Sequence, residues 1–106
     1  MKKTDISESV RSLINEDALC LFVFSSEHCS VCYSVKENIK ILSNKFSRLK
    51  VHEISIDEIP SVSGDFMVFT VPTLLIFHNG KEVYRASRFI SFKELEEKLT
   101  FFHQII

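Results

Sequence analysis

Two cysteines with two residues between them follow shortly after a continuous apolar run, and this placement constrains the fold more than any other feature. The run Leu19-Cys20-Leu21-Phe22-Val23-Phe24 predicts a central β-strand that is covered on both faces. Cys29-Ser30-Val31-Cys32 therefore falls at a strand-to-helix junction. Further along the chain, Val71-Pro72-Thr73 precedes another apolar strand. The two motifs together suggest a site for thiol–disulfide exchange, since CxxC in a strand–helix–strand context is a redox signal.

Three segments of the chain show the apolar period of amphipathic helices with one buried face. They are an N-terminal segment around Ile6 to Ile14, a segment from Ser30 to Phe46, and the C-terminal segment behind Ser91-Phe92-Lys93-Glu94. The last begins with the pattern of a capping box, in which the serine hydroxyl accepts a hydrogen bond at the helix start. Residues 61–70 are mixed in character, and we predict a short helix there.

Further strands are predicted between these helices. Residues 49–56 indicate a second interior strand, and residues 74–77 and 82–87 indicate two more. Asn79-Gly80 joins the last two as a hairpin, because both residues tolerate positive φ. The order α-β-α-β-α-β-β-α predicts a single α/β domain over residues 1–106, with a four-stranded mixed sheet between helical layers.

The overall composition excludes several classes of function. A formal net charge of −1 over 106 residues gives no electrostatic footprint for nucleic acid or for an anionic membrane. No apolar run is long enough to cross a bilayer, and no apolar stretch follows Lys2-Lys3 as a signal peptide would require. Three cysteines, an odd number, argue against a secreted disulfide framework. We therefore expect a cytoplasmic protein that binds neither nucleic acid nor membrane.

The order of elements, with CxxC at a helix start and Val-Pro-Thr before the third strand, resembles the thioredoxin family. The similarity covers nearly the whole chain and extends to Ile56-Asp57, to Pro72 through Phe77, and to the capped final helix. It implies a thioredoxin-like fold and a protein thiol–disulfide oxidoreductase, without metal or organic cofactor, that reduces protein disulfides. It also implies disulfide-containing protein substrates and an unidentified reductase or low-molecular-weight thiol as electron donor. We expect a monomer.

The resemblance assigns roles to the motif residues. Cys29 corresponds to the family's nucleophile, Cys32 to the thiol that resolves the mixed disulfide, and Pro72 to a proline that follows a cis peptide bond. Elementary physics agrees, because the unpaired N–H groups and dipole at a helix N-terminus favour a thiolate at Cys29. A cis bond before Pro72 would leave the backbone of Val71 free to pair with an extended substrate strand. Val71 and Pro72 are therefore predicted to bind substrate.

The chain departs from the family's usual residues at several positions around this site. His28 replaces an aromatic residue; it either rims the substrate site as an exposed side chain or, when charged, favours the Cys29 thiolate. Arg88 and Phe89 fall near a glycine that normally keeps the substrate groove open, so Arg88 is predicted to contact substrate. The remaining departures are Ser30-Val31 for Gly-Pro, Glu37 for a helix-kinking proline, Val23 for a buried aspartate and Glu53 for its partner lysine.

Proton transfer at the resolving thiol needs a new acceptor, because Val23 cannot perform the task assigned to the family's aspartate. Glu53 is a possible proton acceptor if it is half-buried beside the first strand; the alternative is a side chain that reaches solvent at the sheet edge.

The sequence leaves two rival functions open: a non-catalytic binding module and a redox sensor. No metal site is predicted, since no second CxxC and no HxxxH motif accompanies the cysteine pair.

Overall fold

The structure, a computed structural model, describes residues 18–106 together with Ser12 and Ile14. Both of these N-terminal residues are helical, and Ile14 is buried; the rest of the predicted N-terminal helix lies outside the described residues. The elements that follow are β1 (Leu19–Ser25), α1 (Ser30–Ser43), β2 (Lys50–Ser55), α2 (Pro60–Asp65), β3 (Thr73–His78), β4 (Lys81–Ser87) and α3 (Phe92–Gln104).

The four strands form one mixed sheet, as predicted, and the structure gives their order in it as β2-β1-β3-β4. β1 runs parallel to β2 and antiparallel to β3, and β3 is antiparallel to β4. Because β1 lies in the interior of the sheet, all seven of its residues are buried. The prediction that residues 49–56 form a second interior strand is wrong: β2 is an edge strand with β1 as its partner, and Ile54 is its one buried residue.

Alternate residues of β1 contribute to two separate apolar layers. Leu19, Leu21 and Val23 pack on the side covered by α1 and α3. Cys20, Phe22 and Phe24 pack on the opposite side, which is covered by α2. Helices on both faces of the sheet therefore explain why this strand has an unbroken apolar sequence instead of an alternating one.

Local signals in the sequence set the ends of several elements. Ser91 caps α3, and its Oγ accepts a hydrogen bond from the backbone N–H of Glu94 at 3.2 Å. Asn79 and Gly80 turn β3 into β4 with φ angles of 50° and 84°, which is the positive region expected of this pair. The short helix α2 is confirmed, although it ends at Asp65, well before residue 70.

The strand register brings three chain segments to one end of the sheet. Phe24 of β1 pairs with Thr73 of β3, and Thr73 pairs with Ser87 of β4. The segment that leaves β1, the segment that enters β3 and the segment that leaves β4 therefore meet at the same end. The end of β2 is there too, since Ser25 pairs with Ser55.

Tyr84 links the edge strand β4 to the start of α3, and it gives the fold a titration at high pH. Burial and a hydrogen bond to the Glu94 carboxylate raise the pKa of Tyr84 from 10.0 to about 12, because both disfavour the phenolate. Because the pKa of Tyr84 is higher in the folded than in the unfolded protein, its phenol adds to the free energy of unfolding at pH values below the unfolded pKa. This contribution is lost as the pH rises through the folded pKa. We expect the urea midpoint to fall between about pH 10 and 12, and to fall less in Tyr84→Phe. An equal fall in both proteins would contradict this assignment.

Candidate active site

The sequence leaving β1 places a cysteine at the start of α1. Cys29 is the N-cap residue, with extended backbone angles (φ −106°, ψ 99°), and its Sγ accepts a hydrogen bond from the backbone N–H of Cys32 at 3.2 Å. A preceding turn, in which the Cys29 N–H donates to the Ser26 carbonyl at 3.2 Å, sets this position. The Cys29 sulfur therefore meets the N–H end of the helix, where a negative charge is stabilised when the thiol is reduced.

The two cysteines form a disulfide and differ in exposure. Cys29 and Cys32 are joined with a Cα–Cα distance of 5.3 Å, within the usual range for a disulfide. Cys29 is partly exposed, whereas Cys32 is 2% exposed. Attack from solvent can therefore reach the first sulfur more readily than the second. The third cysteine, Cys20, is buried within β1 and is not part of this disulfide.

The loop between β1 and α1 is held by contacts that were not predicted from the sequence. The backbone N–H of Glu27 donates to the Asp57 carboxylate at 3.0 Å, which ties the loop to the segment after β2. His28 lies with Nε2 3.6 Å from the Glu27 carboxylate and has a side chain that is 89% exposed. His28 is therefore an exposed side chain; both its position at the rim of a substrate site and an effect on the Cys29 thiolate stay predictions. The Ile56-Asp57 match to the family was the available signal for the Asp57 contact.

The segment that enters β3 supplies a second part of the site. The Val71–Pro72 peptide bond is cis, as the resemblance implied, and Pro72 is buried. Thr73 fixes the turn, because its Oγ1 donates to the Thr70 carbonyl at 2.7 Å and lies 3.1 Å from the Ser87 Oγ. Val71 is partly exposed and makes no hydrogen bond to another described residue. Its backbone is therefore available to an incoming strand.

Arg88 stands directly after β4 in an uncommon backbone conformation. Its φ is 65°, in the left-handed region that costs a residue other than glycine about 1–2 kcal/mol. The Arg88 N–H donates to the Pro72 carbonyl at 3.0 Å, which fixes Arg88 next to the cis peptide bond. Its side chain and that of Phe89 are both exposed. Sequence reasoning placed both residues near the family's glycine but did not assign the positive φ to Arg88.

Glu53 lies next to Val23, as the aligned positions suggested, but it is not enclosed. The register of β1 and β2 pairs the two residues, and a cavity of about 150 Å³ opens beside them. Within it, the Glu53 Oε1 is 3.7 Å from the Lys36 Nζ, and the Glu53 side chain is 47% exposed. The carboxylate therefore reaches solvent at the sheet edge and also faces a lysine. No contact joins it to the described residues that are predicted to bind substrate, and its role as proton acceptor stays a prediction.

No cluster of three or more His, Cys, Asp or Glu side chains in the described part of the chain could hold a metal ion. Among the same residues, no helix has both the length and the apolar character needed to cross a membrane.

Comparison with known proteins agrees with this site. The family model described as Thioredoxin matches residues 2–100. The chain is 36% identical over 91 residues to the thioredoxin-like protein YdfQ of Bacillus subtilis, covering 86% of this chain and 81% of that protein. It is 32% identical over 72 residues to thioredoxin-1 of Saccharomyces cerevisiae, covering 68% and 70% of the two chains.

Solved structures show the same fold. A mutant thioredoxin from Halobacterium salinarum superposes with a TM-score of 0.82 at 18% identity, covering 93% of this chain and 87% of that one. A dithiol pair at a helix start on this fold defines a protein-disulfide oxidoreductase. The chain belongs to the thioredoxin family. Members of this class act on disulfide-containing proteins and are served by a reductase, so both kinds of partner are implied here.

Proposed function

We propose that this protein reduces disulfides in other proteins, with Cys29 as the attacking thiol and Cys32 as the resolving thiol. The observation that carries the proposal is the contrast between the two sulfurs. Cys29 is partly exposed at the N-cap of α1, and Cys32 is buried one turn further on. A thiolate is the nucleophile in disulfide exchange, so the sulfur that is both reachable and stabilised as an anion is the one that attacks.

The reaction then follows two exchange steps. The Cys29 thiolate attacks one sulfur of the substrate disulfide, which forms a mixed disulfide and releases one substrate thiolate that takes up a proton. Cys32 loses its proton and attacks the Cys29 sulfur, which closes the Cys29–Cys32 bond and releases the second substrate thiolate. Two electrons pass from the protein dithiol to the substrate disulfide. The structure has the disulfide form of the pair, which is the product of the second step.

Substrate binding falls to the segments that meet at this end of the sheet. The free backbone of Val71 pairs with an extended segment of the substrate, and the cis bond before Pro72 presents that backbone. His28 and Arg88 border the bound segment on the β1 and β4 sides. The unpaired Val71 backbone and the two exposed side chains support this arrangement.

Glu53 is proposed as the proton acceptor for the resolving thiol. Its pairing with Val23 across β1 and β2 supports the proposal. The Lys36 ammonium lies 3.7 Å away and balances the negative charge of the Glu53 carboxylate before it accepts a proton. Because the Glu53 carboxylate is exposed to water and no contact among the described residues joins it to Cys32, water would carry the proton between the two groups in this proposal.

Reduction of the Cys29–Cys32 disulfide must come from outside the chain. A partner reductase or a low-molecular-weight thiol supplies the two electrons in this proposal. The proposed setting is the cytoplasm, where such donors keep thiols reduced. A monomer is sufficient for the chemistry, since both thiols and the Val71–Pro72 segment belong to one chain.

The roles of the thiols can be tested by alkylation of the reduced protein. We expect iodoacetamide at pH 7 to modify Cys29 at least 10-fold faster than Cys32 or Cys20, because a stabilised, accessible thiolate reacts first. Peptide mapping by mass spectrometry at short times measures the order, and the urea-unfolded protein is the control in which exposure no longer distinguishes the sites. Fastest labelling of Cys32 would contradict the assignment. Insulin reduction driven by dithiothreitol should accelerate with the parent protein and stay at the background rate after full alkylation.

A further inference from the structure

Charged side chains are distributed unequally across the end of the sheet that carries the disulfide. On the β2 and β1 side lie three exposed acidic residues, Glu27, Asp57 and Glu58. On the β4 side lies the exposed Arg88; the first turn of the helix that follows adds one exposed lysine and one exposed glutamate, Lys93 and Glu94, so the net charge of this side stays positive. The strand order β2-β1-β3-β4 separates the two groups, with the cysteine pair following β1 and Pro72 preceding β3 between them. A segment bound across this end therefore meets negative charge on one side and positive charge on the other.

Main-chain hydrogen bonds hold the backbone conformation of Arg88, but no contact within the described fold requires an arginine at this position. Its backbone N–H bond to Pro72 needs only the main chain, and a glycine would make the same bond without the cost of a positive φ. The guanidinium enters no ion pair with another described residue. Met67 also has a positive φ, but there the conformation presents a carbonyl that accepts a hydrogen bond from Arg85 at 2.9 Å. Residues held in such conformations cluster at binding sites, where the cost is offset by function.

We propose that Arg88 selects substrates, and that the preferred class is disulfides in segments that carry an aspartate or glutamate on the β4 side. This inference rests on the function proposed above and names its substrate class. Adjacent strands are about 4.8 Å apart, so Arg88 follows a strand about 10 Å from β1. An extended segment covers that distance in about three residues. The carboxylate is therefore expected within about three residues of the cysteine that Cys29 attacks.

Phe89 strengthens this selection by an apolar contact. Its side chain is 92% exposed, directly beside the guanidinium-bearing residue, and its N–H donates to the Ser87 carbonyl at 2.7 Å. This backbone bond fixes the position of Phe89 just beyond the end of β4. An aromatic ring that is almost fully exposed next to an unpaired charge is suited to a segment in which an apolar residue adjoins the acidic one.

The test uses peptides that each contain one internal disulfide and differ at a single position. That position lies three residues from one cysteine and holds Asp, Asn or Lys; a second series places it on the other side of the disulfide. The reduced protein is mixed with each peptide at 20 mM salt, and the first-turnover rate is divided by the rate with dithiothreitol alone. This division removes the intrinsic effect of a nearby charge on disulfide reactivity. Stopped samples are resolved by mass spectrometry.

We expect the parent protein to prefer Asp over Lys by about fivefold in one of the two series, in line with the modest strength of exposed charge pairs. Arg88→Gln should reduce the ratio to below twofold, and Arg88→Glu should invert it. Arg48→Glu is the matched control, because Arg48 is exposed beyond the opposite end of the sheet; it should keep the parent ratio. At 0.5 M salt the preference should shrink in the parent protein, since screening shortens the reach of surface charges.

An additional variant separates selection from stability. Arg88→Gly removes the cost of the positive φ, so its melting temperature should rise by about 4 °C or more while its preference for Asp is lost. An Asp preference that survives in Arg88→Gln and Arg88→Glu would overturn the selection proposal and leave the proposed function standing. Failure of the parent protein to reduce any peptide faster than its alkylated form would instead overturn the proposed function, and the selection proposal with it.

Discussion

A Cys32→Ser variant is expected to accumulate a covalent complex with its substrate and to lose turnover by about 10³-fold or more. The physical reason is that the first exchange still proceeds through Cys29, but no neighbouring thiol remains to attack the mixed disulfide. Nothing in the fold should change, because a hydroxyl replaces a thiol of similar size in the first turn of α1. The complex is measured by non-reducing electrophoresis and intact mass after mixing the reduced variant with oxidised insulin.

Two matched variants make this expectation specific. Cys29→Ser should lose the same turnover without forming any complex, because Cys32 is 2% exposed and substrate cannot reach it. Cys20→Ala should retain turnover, since Cys20 is buried within β1 and takes no part in the Cys29–Cys32 disulfide. A complex that forms with Cys29→Ser and not with Cys32→Ser would reverse the two roles. If the protein were a redox sensor without turnover, the parent protein would not accelerate insulin reduction, and the variants would then have no rate to lose.

The fold could be predicted largely from local patterns, for reasons that are visible in single residues. Ser91 predicts a helix start because its hydroxyl can accept a hydrogen bond from a backbone N–H of the first turn, and in the structure it accepts one from Glu94. Asn79-Gly80 predicts a turn because both residues tolerate the positive φ angles that a tight hairpin needs. These signals act over a few residues and do not depend on partners elsewhere in the chain. The edge position of β2 could not be obtained this way, because strand order is set by long-range pairing.

In the candidate site, too, some features follow from local sequence and others depend on contacts between distant segments. The placement of Cys29 at a helix N-terminus follows from an apolar strand ending a few residues earlier, so the sequence alone is sufficient. The positive φ of Arg88 depends on the N–H bond to Pro72, and these two residues lie in segments that meet only when β3 and β4 pair. The surroundings of Glu53 likewise depend on Lys36, which α1 carries over the sheet edge. Contacts of this kind need the tertiary arrangement.

Residues around the site differ according to whether they match the family's motif. Residues that match the family's motif, such as Pro72, occupy the expected geometry. Residues that depart from it keep their position while their chemistry changes: Glu53 pairs with Val23 as aligned, yet meets solvent and an ammonium group. A departure therefore shows where the chemistry differs, and the structure is needed to show how.

The aromatic composition leads to the second large expected effect, which concerns stability. The chain has ten phenylalanines and no tryptophan, and several of the phenylalanines cluster on the α2 side of the sheet. Phe22 lies at the middle of β1 and is fully buried. Its ring centroid is 5.4 Å from that of Phe77 and 6.1 Å from those of Phe24 and Phe66. Removing this ring therefore deletes the centre of an aromatic cluster.

Phe22→Ala is expected to lower the free energy of unfolding by about 3–5 kcal/mol, the usual range for deleting a buried aromatic ring. Against a total of about 5–15 kcal/mol for a small domain, this loss takes up much of the stability. Guanidinium denaturation followed by circular dichroism measures it, and Phe89→Ala, which removes an exposed ring, should change the value by less than about 0.5 kcal/mol. Because Phe22 faces away from α1, the initial rate of Cys29 alkylation in the folded variant should stay within twofold of the parent. A loss below about 1 kcal/mol would show that the neighbouring rings move to close the cavity. That result would contradict a rigid aromatic layer on the α2 side of β1, the strand that precedes the cysteine pair.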